Sequence, residues 1–305
     1  MRREPYTGGA KLCFRKRDRA IARVCVLGLL ALMGCGGETL PRGGVVSMGP
    51  NITETVFALG QGHRLSGVDS FSDYPAEVAR LPRVGGYIDP NLERLSIIRP
   101  ELILLAGQYP KVMDFAGPRG LPTLVVAMDS LATIDAGIGR VGDALECVAA
   151  ADGLRAAIRN GLDAVRGAVA GRPRPRVLVI TGRSTHDLHA LQTAGGSSFI
   201  SEVVACAGGD NVFAEEAAPY FEASKETVVT RAPEVILEFH AGETLSARDR
   251  AAFVADWGAM PTLPAVRDGR VYLVTEAHAL RPGPRIVDVA GRLAALLHPE
   301  AELPE

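Results

Sequence analysis

The chain has 305 residues, with 33 Lys+Arg against 35 Asp+Glu, 47% hydrophobic residues and 5% aromatics. That length accommodates about two domains and a sizeable core, and the composition excludes collagen, a disordered tail or a cysteine-dense mini-protein. A net charge of -2 argues against a protein that lives on nucleic acid. The average conceals a partition: residues 1–34 hold eight Lys/Arg and two acids, a balance of +6, which leaves the remainder at -8.

The basic stretch runs into an uncharged segment at residues 24–34. Eleven residues are too few to cross a bilayer, which needs about 20. A charged region, a short apolar region and small residues at its end describe a secretory signal. Leu32-Met33-Gly34-Cys35 also resembles the lipobox of bacterial lipoproteins. That resemblance implies cleavage before Cys35, whose thiol then carries a diacylglycerol, and an exported chain anchored at the periplasmic or extracellular face of a membrane. The plainer alternative is an ordinary signal peptide with an incidental cysteine. Cleavage removes Cys13 and Cys25 and leaves Cys147 and Cys206 in a compartment that permits disulfides. Two buried free thiols are the expectation. Residues 35–44, rich in Gly, form a tether.

From residue 45 short apolar runs alternate with helical periods. Val45–Met48 precedes a helix whose start is marked by Pro50-Asn51, with Glu54 three residues on in the manner of a capping box. Further strands are predicted at 65–68, 102–105, 123–127, 176–181, 235–239 and 271–275. Such alternation indicates an α/β fold with parallel sheets covered by helices. Between the halves, Ile134, Ile138, Val141, Leu145 and Val148 recur at helical spacing, as do Leu154, Ile158, Leu162, Val165 and Val169 after a break expected near Asp152-Gly153. Pro173 and Pro175 end the second helix. A helix of some 20 residues is about 30 Å long, enough to join two lobes. The domains are therefore an N-terminal lobe at 45–147, an interlobe helix at 148–172 and a C-terminal lobe at 173–300.

An internal echo supports two lobes. Tyr87, Glu93 and Pro100-Glu-Leu-Ile-Leu104 in the first half are matched by Tyr220, Glu226 and Pro233-Glu-Val-Ile-Leu237 in the second. Every match sits at one offset of 133 residues, which suggests similar topology in both lobes.

The motifs of phosphate-loop and zincin enzymes do not occur in the sequence. Gly195-Gly-Ser-Ser198 is not a nucleophile elbow, and Ser197 is expected to cap the helix that starts near Phe199. His186 and His189 flank Asp187 in a stretch that reads as a loop without a third metal ligand. No catalytic or metal residue is assigned. What remains is aromatic and polar residues on connections: Phe71 and Tyr74 in residues 69–75, Tyr87 after Gly85-Gly86, Tyr220 after Pro219, and His278 and Arg281 in residues 275–285. In open α/β sheets ligands sit outside the carboxyl ends of strands, so these residues favour a cleft between the lobes.

From about residue 44 to 299 the chain resembles the helical-backbone (class III) substrate-binding proteins of ABC importers for cobalamin, haem and ferric siderophores, cobalamin binders most nearly. The resemblance rests on Val46-Ser-Met-Gly-Pro-Asn-Ile-Thr-Glu-Thr-Val-Phe-Ala-Leu-Gly60, Asp73-Tyr-Pro75, Pro90-Asn-Leu-Glu-Arg-Leu95, Ala207-Gly-Gly-Asp-Asn-Val212 and Pro284-Arg-Ile286. It implies two α/β lobes joined by one long backbone helix, with closure limited to a modest hinge motion. It implies that Glu93 and Glu226, one per lobe, dock onto the permease of a permease–ATPase complex. Phe71, Tyr87 and Tyr220 fall at aromatic ligand-contact positions, and His278 and Arg281 on a ligand-contact loop. Trp257 falls at a structural position. By the same resemblance the ligand is cobalamin or a related corrinoid, with no cofactor, metal or nucleic acid. Tyrosines and a histidine replace tryptophans at three positions, so haem or a ferric siderophore stays open. Other classes of reading are a secreted α/β enzyme and a ligand sensor.

Overall fold

In the computed structural model, residues 40–303 are described. Strands β1 (Val45–Met48), β2 (Leu65–Val68), β3 (Leu102–Ala106) and β4 (Thr123–Val126) form a parallel sheet in the order β2-β1-β3-β4. All four residues of β1 and the middle of β3 are buried. Strands covered on both faces favour apolar runs, and β3 is one throughout, while β1 and β2 each bury a single serine, Ser47 and Ser66. Because every pairing is parallel, the connections leaving the four carboxyl ends share one edge of the sheet.

The second lobe is built on β5 (Arg176–Gly182), β6 (Leu191–Ala194), β7 (Asp210–Asn211), β8 (Tyr220–Ala223), β9 (Val235–Phe239) and β10 (Val271–Val274). Their order is β10-β9-β5-β6-β8, with β7 beside β5. The sheet is mixed rather than wholly parallel, because β6 runs antiparallel to both β5 and β8. The connection 183–190 is too short for a parallel crossover, and His186 and Ala190, at φ 56° and 50°, help to reverse the chain there.

Ten helices are described: α1 (Pro50–Ala58), α2 (Leu92–Ile98), α3 (Pro110–Ala116), α4 (Leu131–Ala144), α5 (Val148–Ala168), α6 (Phe199–Cys206), α7 (Lys225–Arg231), α8 (Ala247–Asp256), α9 (Pro264–Arg267) and α10 (Ile286–Leu297). The 21 residues of α5 span about 32 Å between the last strand of one sheet and the first of the other. The break before it lies at residues 145–147, where Glu146 has φ 57°, and not at Asp152-Gly153. Gly153 faces open space, so the helix passes through it. A capping box fixes the start of α4: Ser130 N donates to Thr133 Oγ1 and Thr133 N donates to Ser130 Oγ. The residue capping α6 is Ser198, not Ser197. Ser197 Oγ instead donates to the Ala217 carbonyl at 2.7 Å.

The 133-residue echo is present in the backbone. Helix α2 is capped by Asn91, ends on left-handed Arg99 and leads into β3. Helix α7 is capped by Ser224, ends on left-handed Ala232 and leads into β9. Cap, helix length, terminating residue and strand all correspond at that one offset.

One hydrophobic cluster runs from Val45 and Val56 through Ile138 and Leu162 to Val177, Phe199 and Leu293, so the two sheets and the helices between them share a core. Cys147 and Cys206 are both free, Cys206 buried and Cys147 half-buried. Trp257 is fully buried and its Nε1 donates to Glu238 at 2.7 Å. No helix among the described residues is long and apolar enough to cross a membrane. Cys35 and the leader lie outside the described residues.

Candidate functional site

Gly49 sets the geometry at the end of β1. Its φ of 146° and its approach to Ala106, which would leave a Cβ only 2.4 Å away, require glycine. Gly49, not Asn51, is therefore the residue that starts α1, and its amide donates to Asp69 Oδ2 at 3.1 Å. Asp69 is buried, accepts from the Phe71 amide at 2.7 Å and from Ser72 Oγ, and so folds the loop after β2. Ser72 in turn meets Thr53 at 2.7 Å, and Thr53 meets Ser47 at 2.6 Å. This buried polar chain holds Phe71 with its ring 66% exposed, against the backbone of Gly86.

Tyr87 is also exposed and packs edge-on against Tyr109, with ring centroids 5.0 Å apart. Tyr109 escaped the sequence reading; it is buried, stands just before α3, and is marked in the sequence only by the Pro110 that follows it. Burial, then the Asp69 carboxylate and Tyr87, push the Tyr109 phenol up to about 12. Phe71 and Tyr87 are thus exposed rings of the N-terminal lobe, with Tyr109 buried behind Tyr87.

Tyr220 comes from the other lobe. It opens β8 rather than following a strand, but antiparallel pairing places it beside Ala194, the carboxyl end of β6. It lines a hollow of about 470 Å³ with Ser197, Phe199 and Pro219 of its own lobe, Met128, Asp129 and Ser130 after β4, and Leu280 and Pro282. Burial, then Asp129, push the Tyr220 phenol up to about 12.

The connection 275–285 crosses to the N-terminal lobe. Arg281 forms a bidentate pair with Asp73, its Nη2 at 3.0 Å from Oδ2, and reaches Glu54 at 3.4 Å. Arg285 is bidentate on Glu54 at 2.6 and 2.8 Å, and its guanidinium lies 4.0 Å above the Tyr74 ring. Glu54 is therefore not the second half of a capping box; its buried carboxylate is turned to the opposite lobe. His278 stands apart from the Tyr220 hollow. It is half-buried and lines a hollow of about 130 Å³ with Asp288 and Arg292, where burial and then Arg285 hold its imidazole below the usual value.

Glu93 and Glu226 are exposed at equivalent places in the first turns of α2 and α7. Its own backbone amide and Ser224 hold the Glu226 carboxyl below the usual range. His186 and His189 do not converge: His186 stacks on Phe253 with centroids 5.5 Å apart, while His189 lies 3.3 Å from Asp187. Among the described residues, no group of three or more His, Cys, Asp or Glu is placed to hold a metal ion.

Two α/β lobes sit on a shared helical core, with a hollow between them that residues of both lobes line. The chain belongs to the periplasmic binding protein family, whose model matches residues 45–277. Membership makes it an extracytoplasmic binding protein and not an enzyme. A vitamin B12-binding protein of Vibrio parahaemolyticus serotype O3:K6 (strain RIMD 2210633) is 28% identical over 246 residues, covering 80% of this chain and 85% of the relative. The periplasmic vitamin B12 binding protein BtuF of Vibrio cholerae superposes with a TM-score of 0.69 at 25% identity, over 83% of this chain and 95% of that one. The periplasmic heme-binding protein RhuT from Roseiflexus sp. RS-1 gives 0.70 at 25% identity, over 85% and 98%.

Proposed function

We propose that the chain is a lipid-anchored binding protein of an ABC importer, joined to the membrane through Cys35, that captures a cobalamin-like corrinoid between its lobes. The observation carrying this reading is the hollow of about 470 Å³ that Tyr220 shares between the lobes with Met128, Ser130 and Leu280, taken with the exposed Phe71 and Tyr87 on the N-terminal lobe. A flat macrocycle seated there gains by burying rings and apolar walls, while few polar groups orient it. Relatives named for vitamin B12 support the choice. Delivery would use Glu93 and Glu226, one knob per lobe, against a two-fold permease.

Haem is the second reading, supported by the heme-binding structural neighbour. Calorimetric titration of the purified protein with cyanocobalamin and with haemin separates the two. The corrinoid reading expects saturable binding of cyanocobalamin in preference to haemin, and the reverse preference would replace it. Replacing Glu93 and Glu226 together with alanine is expected to abolish uptake and leave affinity within about twofold. A loss of affinity instead would make them cleft residues.

A further inference from the structure

Four charges meet across the two lobes. Glu54 on α1 and Asp73 after β2 come from the first lobe, and Arg281 and Arg285 after β10 from the second. The partners are separated by 208 to 231 residues in sequence. Each guanidinium fork is filled: Nε and Nη2 of Arg285 by the two oxygens of Glu54, and Nη1 and Nη2 of Arg281 by the two of Asp73. Bidentate pairs of this kind are the strong, directional ones. The Glu54 side chain is 3% exposed, so withdrawing its arginines would strand a buried carboxylate. The strand of chain between the two arginines is pressed onto the first lobe as well, since Gly283 passes against Asn51 with only van der Waals room for a Cβ.

We infer that Arg281 and Arg285 strap the lobes together and are withheld from the ligand, making Glu54, Asp73, Arg281 and Arg285 positioning residues for the cleft. The flanking residues Leu280 and Pro282 line the hollow with Tyr220, so anchoring Arg281 to Asp73 fixes that wall. An anionic group on a ligand could recruit Arg281 only by displacing a carboxylate already seated on it. The role as a cleft device rests on the interlobe hollow being the ligand site; the strap itself does not.

The test is hydrogen exchange on the ligand-free protein, with Asp73→Asn, Arg281→Gln and the double variant, followed by cyanocobalamin titration. The Asp73 side chain is 58% exposed, so its replacement leaves the fold intact. Either single change is expected to speed exchange about tenfold in both segments, 69–75 and 275–285, on opposite lobes. The double variant should exchange no faster than the faster single, and both singles should weaken cyanocobalamin binding equally. Faster exchange only in the mutated segment, or in neither, would overturn the strap. So would loss of binding in Arg281→Gln alone, which would make Arg281 a ligand contact. If the wild-type protein binds no corrinoid while both segments still loosen together, the ligand reading fails and the strap stands.

Discussion

Asp69 does more for the cleft than any ring that touches it. Its buried carboxylate takes the Gly49 and Phe71 amides and the Ser72 hydroxyl, and the last two hold the loop that displays Phe71. Asp69→Ala leaves buried donors unpaired, at about 1–3 kcal/mol for each one stranded, and should lower the melting temperature and ligand affinity together. The Asp73 carboxyl is held below the usual range first by its hydrogen bond to Arg281. A carboxyl with a depressed folded pKa contributes stability above its unfolded value, near 3.8, and loses it as pH falls through the folded value. Exchange in 69–75, the segment that carries Asp73, should therefore rise below about pH 4, after correction for intrinsic rates. Tyr220 runs the other way. Its raised phenol contributes stability below pH 10 that is lost towards 12, and Asp129→Asn should lower its ultraviolet titration midpoint. None of these partnerships was legible locally. Glu54 mimicked a helix cap because a capping box and an interlobe ion pair present the same residue at the same spacing. Asp129 carried no motif at all, and Tyr109 only the Pro110 after it.

Helices and strands were more readable, for a physical reason. The buried strands are short and mostly apolar, as in Leu102–Ala106, and such runs stand out in the sequence. Leu191–Ala194 and Tyr220–Ala223 did not, since an antiparallel edge pair tolerates Gln192 and Glu222 on its open positions. The echo at 133 residues was legible because it repeats a whole device, from cap to helix, left-handed stop and buried strand. Ala232 occupies that stop at φ 44°, a conformation costing a non-glycine residue about 1 kcal/mol. Ala232→Gly should raise stability by about 0.5–1 kcal/mol in urea unfolding. Helices α4 and α5 approach so closely that a Cβ on Gly142 would lie 2.3 Å from that of Ala151. Gly142→Val should cost about 1–3 kcal/mol through overpacking, and the same unfolding measurement checks it.

At the scale of the molecule, the shared core limits what ligand capture can do. The lobes, α4, α5 and α10 bury side chains in one cluster, and a wide opening would expose that cluster to water at about 25 cal/mol per Å². The interlobe ion pairs add a second restraint at the 275–285 crossing. Binding should therefore proceed with a small change of shape, the exposed rings being in place before the ligand arrives. The charge partition in the sequence fits this picture: the basic residues of 1–34 are separate from an acidic body in which Arg281 and Arg285 are already paired with carboxylates.

The central claim is that rings from both lobes hold one ligand, and calorimetric titration with cyanocobalamin tests it on the wild-type protein, Phe71→Ala and Tyr220→Ala. Each variant should bind about tenfold more weakly with its fold unchanged, a loss of roughly 1.4 kcal/mol per ring. Unchanged affinity in both variants, or no binding of any corrinoid to the wild type at high micromolar concentration, would contradict it.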